Sequence, residues 1–171
     1  TIGAGVKENN FLGKGIKLNS DLSISPNTIK GTLIYEKPNF NYSDNSLLLS
    51  ATSSANNEIL TAGYKSSEIG FSVGTSFEQY ENFYITPRFS TTHETLTTTS
   101  SASANYKKQE GSYFDNYLNY TLDYDNRNKR YKPDEGFRNT FSQNLPLYTK
   151  NNEIVNSFES IKYQKFSNVV T

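Results

Sequence analysis

The chain has 171 residues, enough for one domain, but only 34% of them are hydrophobic and the mean hydropathy is −0.70. Its 17 basic and 17 acidic residues cancel, so charge gives no indication of a nucleic-acid partner. The absence of cysteine excludes disulfides and thiolate metal sites. High aromatic content opposes disorder. The composition therefore predicts strands with one apolar side, in a half-buried sheet or a barrel with a wet interior.

Position 1 is threonine and methionine is absent, which indicates an interior piece of a longer protein. We expect any targeting signal to lie outside it. No run of about 18 apolar residues is present, so the sequence predicts no transmembrane helix. A membrane-spanning strand needs only about 9–11 residues and leaves no such signal.

Alternation of apolar and polar side chains predicts the strands of the first third of the chain. These strands cover residues 1–8, 16–24, 28–37 and 46–54. The alternation is cleanest in residues 16–24, where apolar residues at every second position oppose Lys17, Asn19, Asp21 and Ser23. Glycine, proline and asparagine predict turns between these strands.

The middle of the chain predicts two further strands and a loop. The strands cover residues 60–77 and 83–90, and Pro87 inside the second removes one ladder donor and favours a bulge or weak pairing. Thr and Ser dominate residues 95–103, which predicts a mobile loop extending to about residue 111. His93 is the only histidine and is predicted to lie in a loop.

The last third predicts a hairpin of residues 113–147 with a long charged turn over residues 125–136, followed by a strand at 154–166. No helical period is apparent anywhere. All connections can be hairpins, so the predicted fold is all-β, an antiparallel meander of about nine strands. Bacterial single-chain barrels use even strand numbers, so nine strands would not close by themselves.

No arrangement of side chains predicts catalysis, a cofactor or a metal site. Asp123, Asp125 and Arg127 only superficially match a calcium loop, because an arginine stands at a ligand position. The one dense basic cluster, which runs from Arg127 to Lys132, favours a solvated turn over a dedicated anion site. The sequence gives no reason to expect an enzyme.

Three turns together resemble the transmembrane barrel of the BamA family, the bacterial surface antigen family of outer-membrane assembly proteins. The first is an Asn-aromatic-Leu-Gly-x-Gly turn, the second a Pro-x-Phe turn, and the third an Asp-x-Arg-Asp…Pro-x-x-Gly turn in which Asn128 replaces the second aspartate. The residues that match are Asn10, Phe11, Leu12, Gly13, Gly15, Pro38, Phe40, Asp125, Arg127, Pro133 and Gly136.

This resemblance implies that residues 1–171 are a single partial domain, an incomplete transmembrane β-barrel covering roughly the second to tenth of sixteen strands. The family's periplasmic domains and C-terminal strands would be absent. The implied location is the outer membrane of a Gram-negative cell, with the three motif turns periplasmic and the Ser/Thr-rich loop external. The implied function is insertion of client β-barrel proteins into that membrane, with outer-membrane lipid, unfolded clients and assembly-complex lipoproteins as partners.

On this interpretation the apolar stripes face lipid. The predicted lipid-facing residues are Ile16, Leu18, Leu22, Ile24, Leu33, Ile69, Phe71, Val73, Leu118, Leu122 and Phe141. Two alternatives remain open. In a passive porin or receptor barrel the same apolar stripes would also face lipid. In a soluble carbohydrate-binding β-sandwich they would be buried between two sheets.

Overall fold

The computed structural model describes residues 1–150 and 152–165, and within them nine strands form one antiparallel sheet in chain order. The strands are β1 (Ile2–Phe11), β2 (Ile16–Ile24), β3 (Thr28–Lys37), β4 (Ser46–Glu58), β5 (Tyr64–Tyr80), β6 (Phe83–Thr98), β7 (Gly111–Asp125), β8 (Gly136–Tyr148) and β9 (Val155–Tyr163). Each strand pairs with its neighbours in sequence. The predicted nine-stranded antiparallel meander is confirmed.

The register aligns the apolar positions of successive strands on one face. One row of partners runs across seven strands and is apolar throughout: Leu18, Tyr35, Leu49, Val73, Phe89, Leu118 and Leu145. Successive residues of a strand point to opposite faces, so the next row lies on the other face. That row is mostly polar: Asn19, Ile34, Ser50, Ser72, Ser90 and Tyr117. We call these two sides the apolar face and the polar face.

The described residues contain no second layer that covers the apolar face. Among them, the buried hydrophobic residues are limited to Ile16, Leu96 and Ala102. The soluble β-sandwich alternative is therefore wrong, because it requires the apolar stripes to be buried between two sheets.

The sheet carries short helical segments that the sequence does not reveal. They are α1 (Ile59–Ala62), α2 (Ala104–Gln109) and a 3₁₀ turn at Phe40–Tyr42. The prediction of no helix is wrong because segments of one or two turns are too short to show a 3.6-residue period. Neither α-helix of the described chain is long and apolar enough to cross a membrane.

The predicted loop over residues 95–103 is wrong for residues 95–98 and for its extension to about residue 111, because only residues 99–103 and Glu110 lie outside strand and helix. Strand β6 continues to Thr98, which places His93 inside a strand, and α2 follows before β7 begins at Gly111. The segment is also anchored to the preceding hairpin, because the Thr99 N–H donates to the carbonyl oxygen of Gly63 at 2.7 Å. Thr is itself a good strand former, so a Thr-rich stretch beside a long partner strand extends the sheet.

Other predicted boundaries also shift, and the first strand runs on from residue 8 to Phe11. The fourth strand extends from residue 54 to Glu58, and the fifth begins at Tyr64 because α1 occupies the preceding positions. The last strand is shorter than predicted, and residue 166 lies outside the described residues.

Pro87 is tolerated inside β6 at an interruption of the ladder. Pairing with β5 stops after Gly74 and Arg88 and resumes in the same register at Phe77 and Ile85. The predicted weak pairing at Pro87 is confirmed on this side, while on the other side Pro87 pairs with Tyr120.

The connections alternate between two ends of the sheet. The turns after β1, β3, β5 and β7 lie at one end, which we call the motif end because it holds all three turns that carry the sequence motifs. The connections after β2, β4, β6 and β8 lie at the opposite end.

Candidate functional site

The apolar face is open to its surroundings. Leu22 is 45% exposed and Ile69 is 64% exposed, although both lie within paired strands. The other predicted lipid-facing residues that are exposed on this face are Ile24, Leu33, Phe71, Val73 and Leu118, while Leu18, Leu122 and Phe141 are half-buried. An exposed apolar surface of this extent marks an interaction site for a membrane or another protein.

Ile16 is the exception among these residues. It is only 5% exposed, so the prediction that it faces lipid is wrong in this structure. It is the first residue of β2, and the register of β1 shifts between Glu8 and Phe11 just where Ile16 pairs. A position beside an irregular turn does not follow the alternation of the strand interior.

Two aromatic pairs of the apolar face lie on β7 and β8 toward the motif end. The ring centroids of Tyr124 and Phe137 are 5.5 Å apart, and those of Tyr120 and Phe141 are 6.2 Å apart. Rings at the edge of an apolar band are typical of strands that cross a membrane, where they lie at the level of the lipid headgroups.

The polar face is joined across strands by side-chain hydrogen bonds. Ser50 and Ser72 hydroxyls lie 2.6 Å apart on β4 and β5, and Asn119 Nδ2 donates to Ser90 Oγ at 2.9 Å between β7 and β6. Such small polar groups make a surface that water can wet. No group of three His, Cys, Asp or Glu side chains in the described chain is placed to hold a metal ion.

Two charge pairs strengthen the polar face near the motif end. Arg138 donates from Nε and a terminal nitrogen to the two carboxylate oxygens of Asp123, both at 2.8 Å. Arg127 forms the same two-bond arrangement with Asp125, both at 2.7 Å. Bidentate arginine and carboxylate pairs fix orientation as well as adding energy, so these pairs hold the β7–β8 hairpin in shape.

The first motif turn is built on its asparagine and glycines. Asn10 accepts from the Gly15 N–H through Oδ1 at 2.7 Å and from the Gly13 N–H through its carbonyl at 2.9 Å. Leu12, Gly13 and Gly15 all have positive φ, and Phe11 ends β1 immediately before them. The side chain of asparagine thus closes a reversal that glycine makes accessible.

The second motif turn follows Pro38 as the 3₁₀ segment. Phe40 donates its N–H to the carbonyl of Asn45 at 2.7 Å, and Lys37 Nζ lies 5.7 Å from the centre of the Phe40 ring.

The third motif turn depends on close approach of its two sides. Gly136 has φ +99°, and a Cβ there would collide with the carbonyl oxygen of Asn126. The Asn126 N–H donates to the carbonyl of Phe137 at 2.9 Å, which closes the hairpin beneath the turn that holds Pro133.

Charged side chains of this turn are held in pairs. Asn128 and Lys129 both donate to the Asp134 carboxylate and hold the pKa of Asp134 below its ordinary value, with Asn128 as the larger cause. Asp125 raises the pKa of Arg127, which is protonated at any ordinary pH in either case. The preference for a solvated turn over an anion site stays a prediction. Among the described residues Arg130 donates a hydrogen bond to the Tyr84 hydroxyl at 3.3 Å, and its guanidinium lies 6.0 Å from the centre of that ring.

The sequence analysis did not predict where the apolar face ends on the side opposite the motif turns. At the end opposite the motif turns, its outermost row is Asn57, Lys65 and Thr97, paired across β4, β5 and β6. The apolar stripe of β5 stops at Ile69, and this loss of alternation was visible in the sequence as Lys65 and Ser67.

Comparison with solved structures gives a relative of the same architecture. The crystal structure of BamA from Haemophilus ducreyi lacking POTRA domains 1-3 matches with a TM-score of 0.61 and 24% sequence identity. The match covers 85% of this chain and 31% of that chain, so this chain spans about a third of the BamA fragment's length. At this identity the likeness concerns the fold.

Comparison with curated proteins finds no match. The family comparison is decisive, because the model for the Omp85 superfamily domain matches residues 10–169, from the first motif turn through the last strand. A match over nearly the whole length, on a sheet that has the barrel architecture, means that this chain belongs to the Omp85 superfamily.

Proposed function

We propose that this chain forms part of the wall of an outer-membrane β-barrel that inserts client β-barrel proteins into the membrane. Omp85 superfamily proteins are outer-membrane barrel proteins, which supports the location. The observation that carries the proposal is the row of apolar residues that crosses seven strands from Leu18 to Leu145 on an exposed face. A continuous exposed apolar band is what a barrel wall needs against hydrocarbon.

The role of this part of the barrel is that of scaffold and solvent boundary. On the apolar face lipid would replace water, and on the polar face the Ser50–Ser72 and Asn119–Ser90 contacts would face a wet lumen. The outer edges of β1 and β9 would be paired by neighbouring strands of the intact protein, because unpaired backbone groups are not tolerated in lipid.

The test compares Leu22→Arg with Asp21→Arg in the intact protein. The two residues are adjacent in β2 and both are exposed, but they lie on opposite faces. Arginine on a lipid-facing position costs about 2–4 kcal/mol at mid-membrane and less toward the headgroups, and on a lumen-facing position it costs little. Leu22 shares its row with Ile69, where the apolar stripe of β5 ends, so we expect a cost below that maximum. We expect Leu22→Arg to reduce assembly into lipid vesicles, measured by heat-modifiable gel migration, and Asp21→Arg to assemble like wild type.

The same vesicles test the insertion activity. Urea-unfolded client barrel protein is added, and its folding is followed with and without the assembled protein. We expect faster client folding with wild type and with Asp21→Arg, because both assemble. Equal assembly of the two arginine variants would contradict the face assignment. Normal assembly with no acceleration of client folding, together with ion conductance, would indicate a passive pore instead.

A further inference from the structure

A groove of about 550 Å³ lies on the apolar face at the end opposite the motif turns. Its floor is a row of partners across four strands: Ile29 on β3, Ala55 on β4, Ser67 on β5 and Thr95 on β6. Ser67 stands two residues from Ile69 on β5, so this row shares the face of the apolar stripe.

The side of the groove farther from the motif end carries a positive charge, that of Lys65. Lys65 lies in the next row, with Asn57 on one side and Thr97 on the other, and the turn at residues 25–27 closes one end. Lys65 is exposed, and within residues 1–150 and 152–165 it makes no ion pair.

The carboxylate of Glu58, next to Asn57, is already occupied. Glu58 accepts from Asn27 Nδ2 at 3.2 Å and from the Thr61 hydroxyl, and its pairing with Tyr64 places it on the polar face. In the described chain, by contrast, the hydroxyls of Ser67 and Thr97 make no hydrogen bond. The groove therefore offers one free cation and free hydroxyl groups, a combination suited to an anion with several oxygens.

The groove is also amphipathic along the strand direction. Its inner side is apolar, with Ile29 52% exposed, and continues into the apolar face, while its outer side is polar and positively charged. Strand β5 has 17 residues, whereas about 9–11 suffice to cross a membrane. Its apolar stripe stops at Ile69 and Lys65 and Ser67 follow on the same face, so we infer that this end of β5 extends beyond the hydrocarbon. The groove lies at this transition, where lipid headgroups lie.

We propose that this groove binds the phosphorylated headgroup of an anionic membrane lipid. Lys65 pairs with the phosphate, the Ser67 and Thr97 hydroxyls donate to its oxygens, and the lipid's acyl chains run from Ile29 along the apolar face. This inference rests on the proposed function, because it requires the apolar face to contact lipid. One lysine at an anionic surface corresponds to about a fivefold change in lipid affinity.

The experiment uses the intact protein in nanodiscs of phosphatidylcholine with a minor fraction of lipid A, a diphosphorylated lipid. After extraction into mild detergent, native mass spectrometry counts the lipid A molecules that remain bound. We expect Lys65→Gln to lower retention about fivefold and Lys65→Arg to keep it. Lys30→Gln is the matched control, because Lys30 follows Ile29 directly but lies on the polar face.

Equal retention by wild type and Lys65→Gln would overturn the proposal, as would an equal loss in Lys30→Gln, which would mean general surface charge. Glucosamine phosphate without acyl chains that competes as well as lipid A would also overturn it, since the apolar side of the groove would then contribute nothing. Assembly is measured in the same samples. Failure of wild type to assemble overturns the proposed function and this inference together, whereas normal assembly with unchanged retention overturns this inference alone.

Discussion

At Gly136 the backbone has φ +99°, and a methyl group would meet both the Asn126 carbonyl and the Arg127 Cα atom. The residue is therefore constrained twice, by its conformation and by the close approach of the opposite side of the turn, at Asn126 and Arg127. Gly31 in β3 offers the contrast, because nothing lies within 4 Å of an added Cβ there.

We expect Gly136→Ala to destabilise the intact protein by about 1–3 kcal/mol, the usual cost of a non-glycine residue held in a sparsely populated backbone region. Gly31→Ala should change stability by less than about 1 kcal/mol. Urea unfolding in lipid vesicles, followed by circular dichroism, measures both variants. Equal stability of the two would show that the third motif turn has no strict need for glycine.

The ion pairs of the sheet differ in their exposure and therefore in their expected contribution. The side chains of Arg127 and Asp125 are 13% and 15% exposed, whereas those of Lys17 and Glu36 are 55% and 31% exposed. Arg127→Gln removes two charge-assisted hydrogen bonds and should cost about 1.5–3 kcal/mol. Lys17→Gln removes one screened surface pair and should cost at most about 1 kcal/mol.

The same urea unfolding measures these two glutamine variants, and raised salt separates them further. We expect salt to weaken the Lys17 contribution more than the Arg127 contribution, because screening acts chiefly on exposed charges. A larger cost for Lys17→Gln than for Arg127→Gln would contradict the ranking by exposure.

Among the elements, the β7–β8 turn is sensitive to acid. Hydrogen bonds from Asn128 and Lys129 lower the pKa of Asp134 in the folded protein. A carboxyl whose pKa is lower when folded contributes stability above its unfolded pKa, about 3.9, and this contribution is lost as pH falls through the folded value.

We therefore expect the Asp134 carbon resonance in a carboxyl-labelled sample to titrate below the value of an unstructured aspartate. The stability difference between wild type and Asp134→Asn should be constant at neutral pH and vanish as acid protonates Asp134. A titration at or above the ordinary value would mean that Asn128 and Lys129 do not hold this carboxylate.

The whole sheet can be mapped because the chain contains no cysteine. Single cysteines at Leu33 and Ile69 lie on the apolar face, and those at Lys30 and Glu68 lie on the polar face. In the membrane-assembled protein we expect the first pair to react only with a lipid-soluble maleimide and the second with a water-soluble one. Reaction of all four with the water-soluble reagent would mean that both faces meet water.

The sequence by itself determined which side is apolar in the strands that alternate cleanly, such as β2, but not in β9. Side chains alternate along any extended segment, so the opposition of Leu22 to Asp21 is a local property that needs no partner strand. The same is true of the first motif turn, because Asn10 and the glycines that close it lie within six residues. The meander of nine strands follows from such local signals in series.

Only the tertiary structure decided what depends on residues far apart in the chain. The Thr99 N–H and hydroxyl donate to the carbonyl oxygen of Gly63, a residue 36 positions earlier in the chain. This contact ties the segment between β6 and α2 to the preceding hairpin, and no local pattern in the sequence indicates it. The buried position of Ile16 follows from an irregular register beside it, and the groove at Lys65 requires four strands in one alignment. The register of a strand is set by the strand that lies opposite it, and the alternation within a single strand carries no information about that partner.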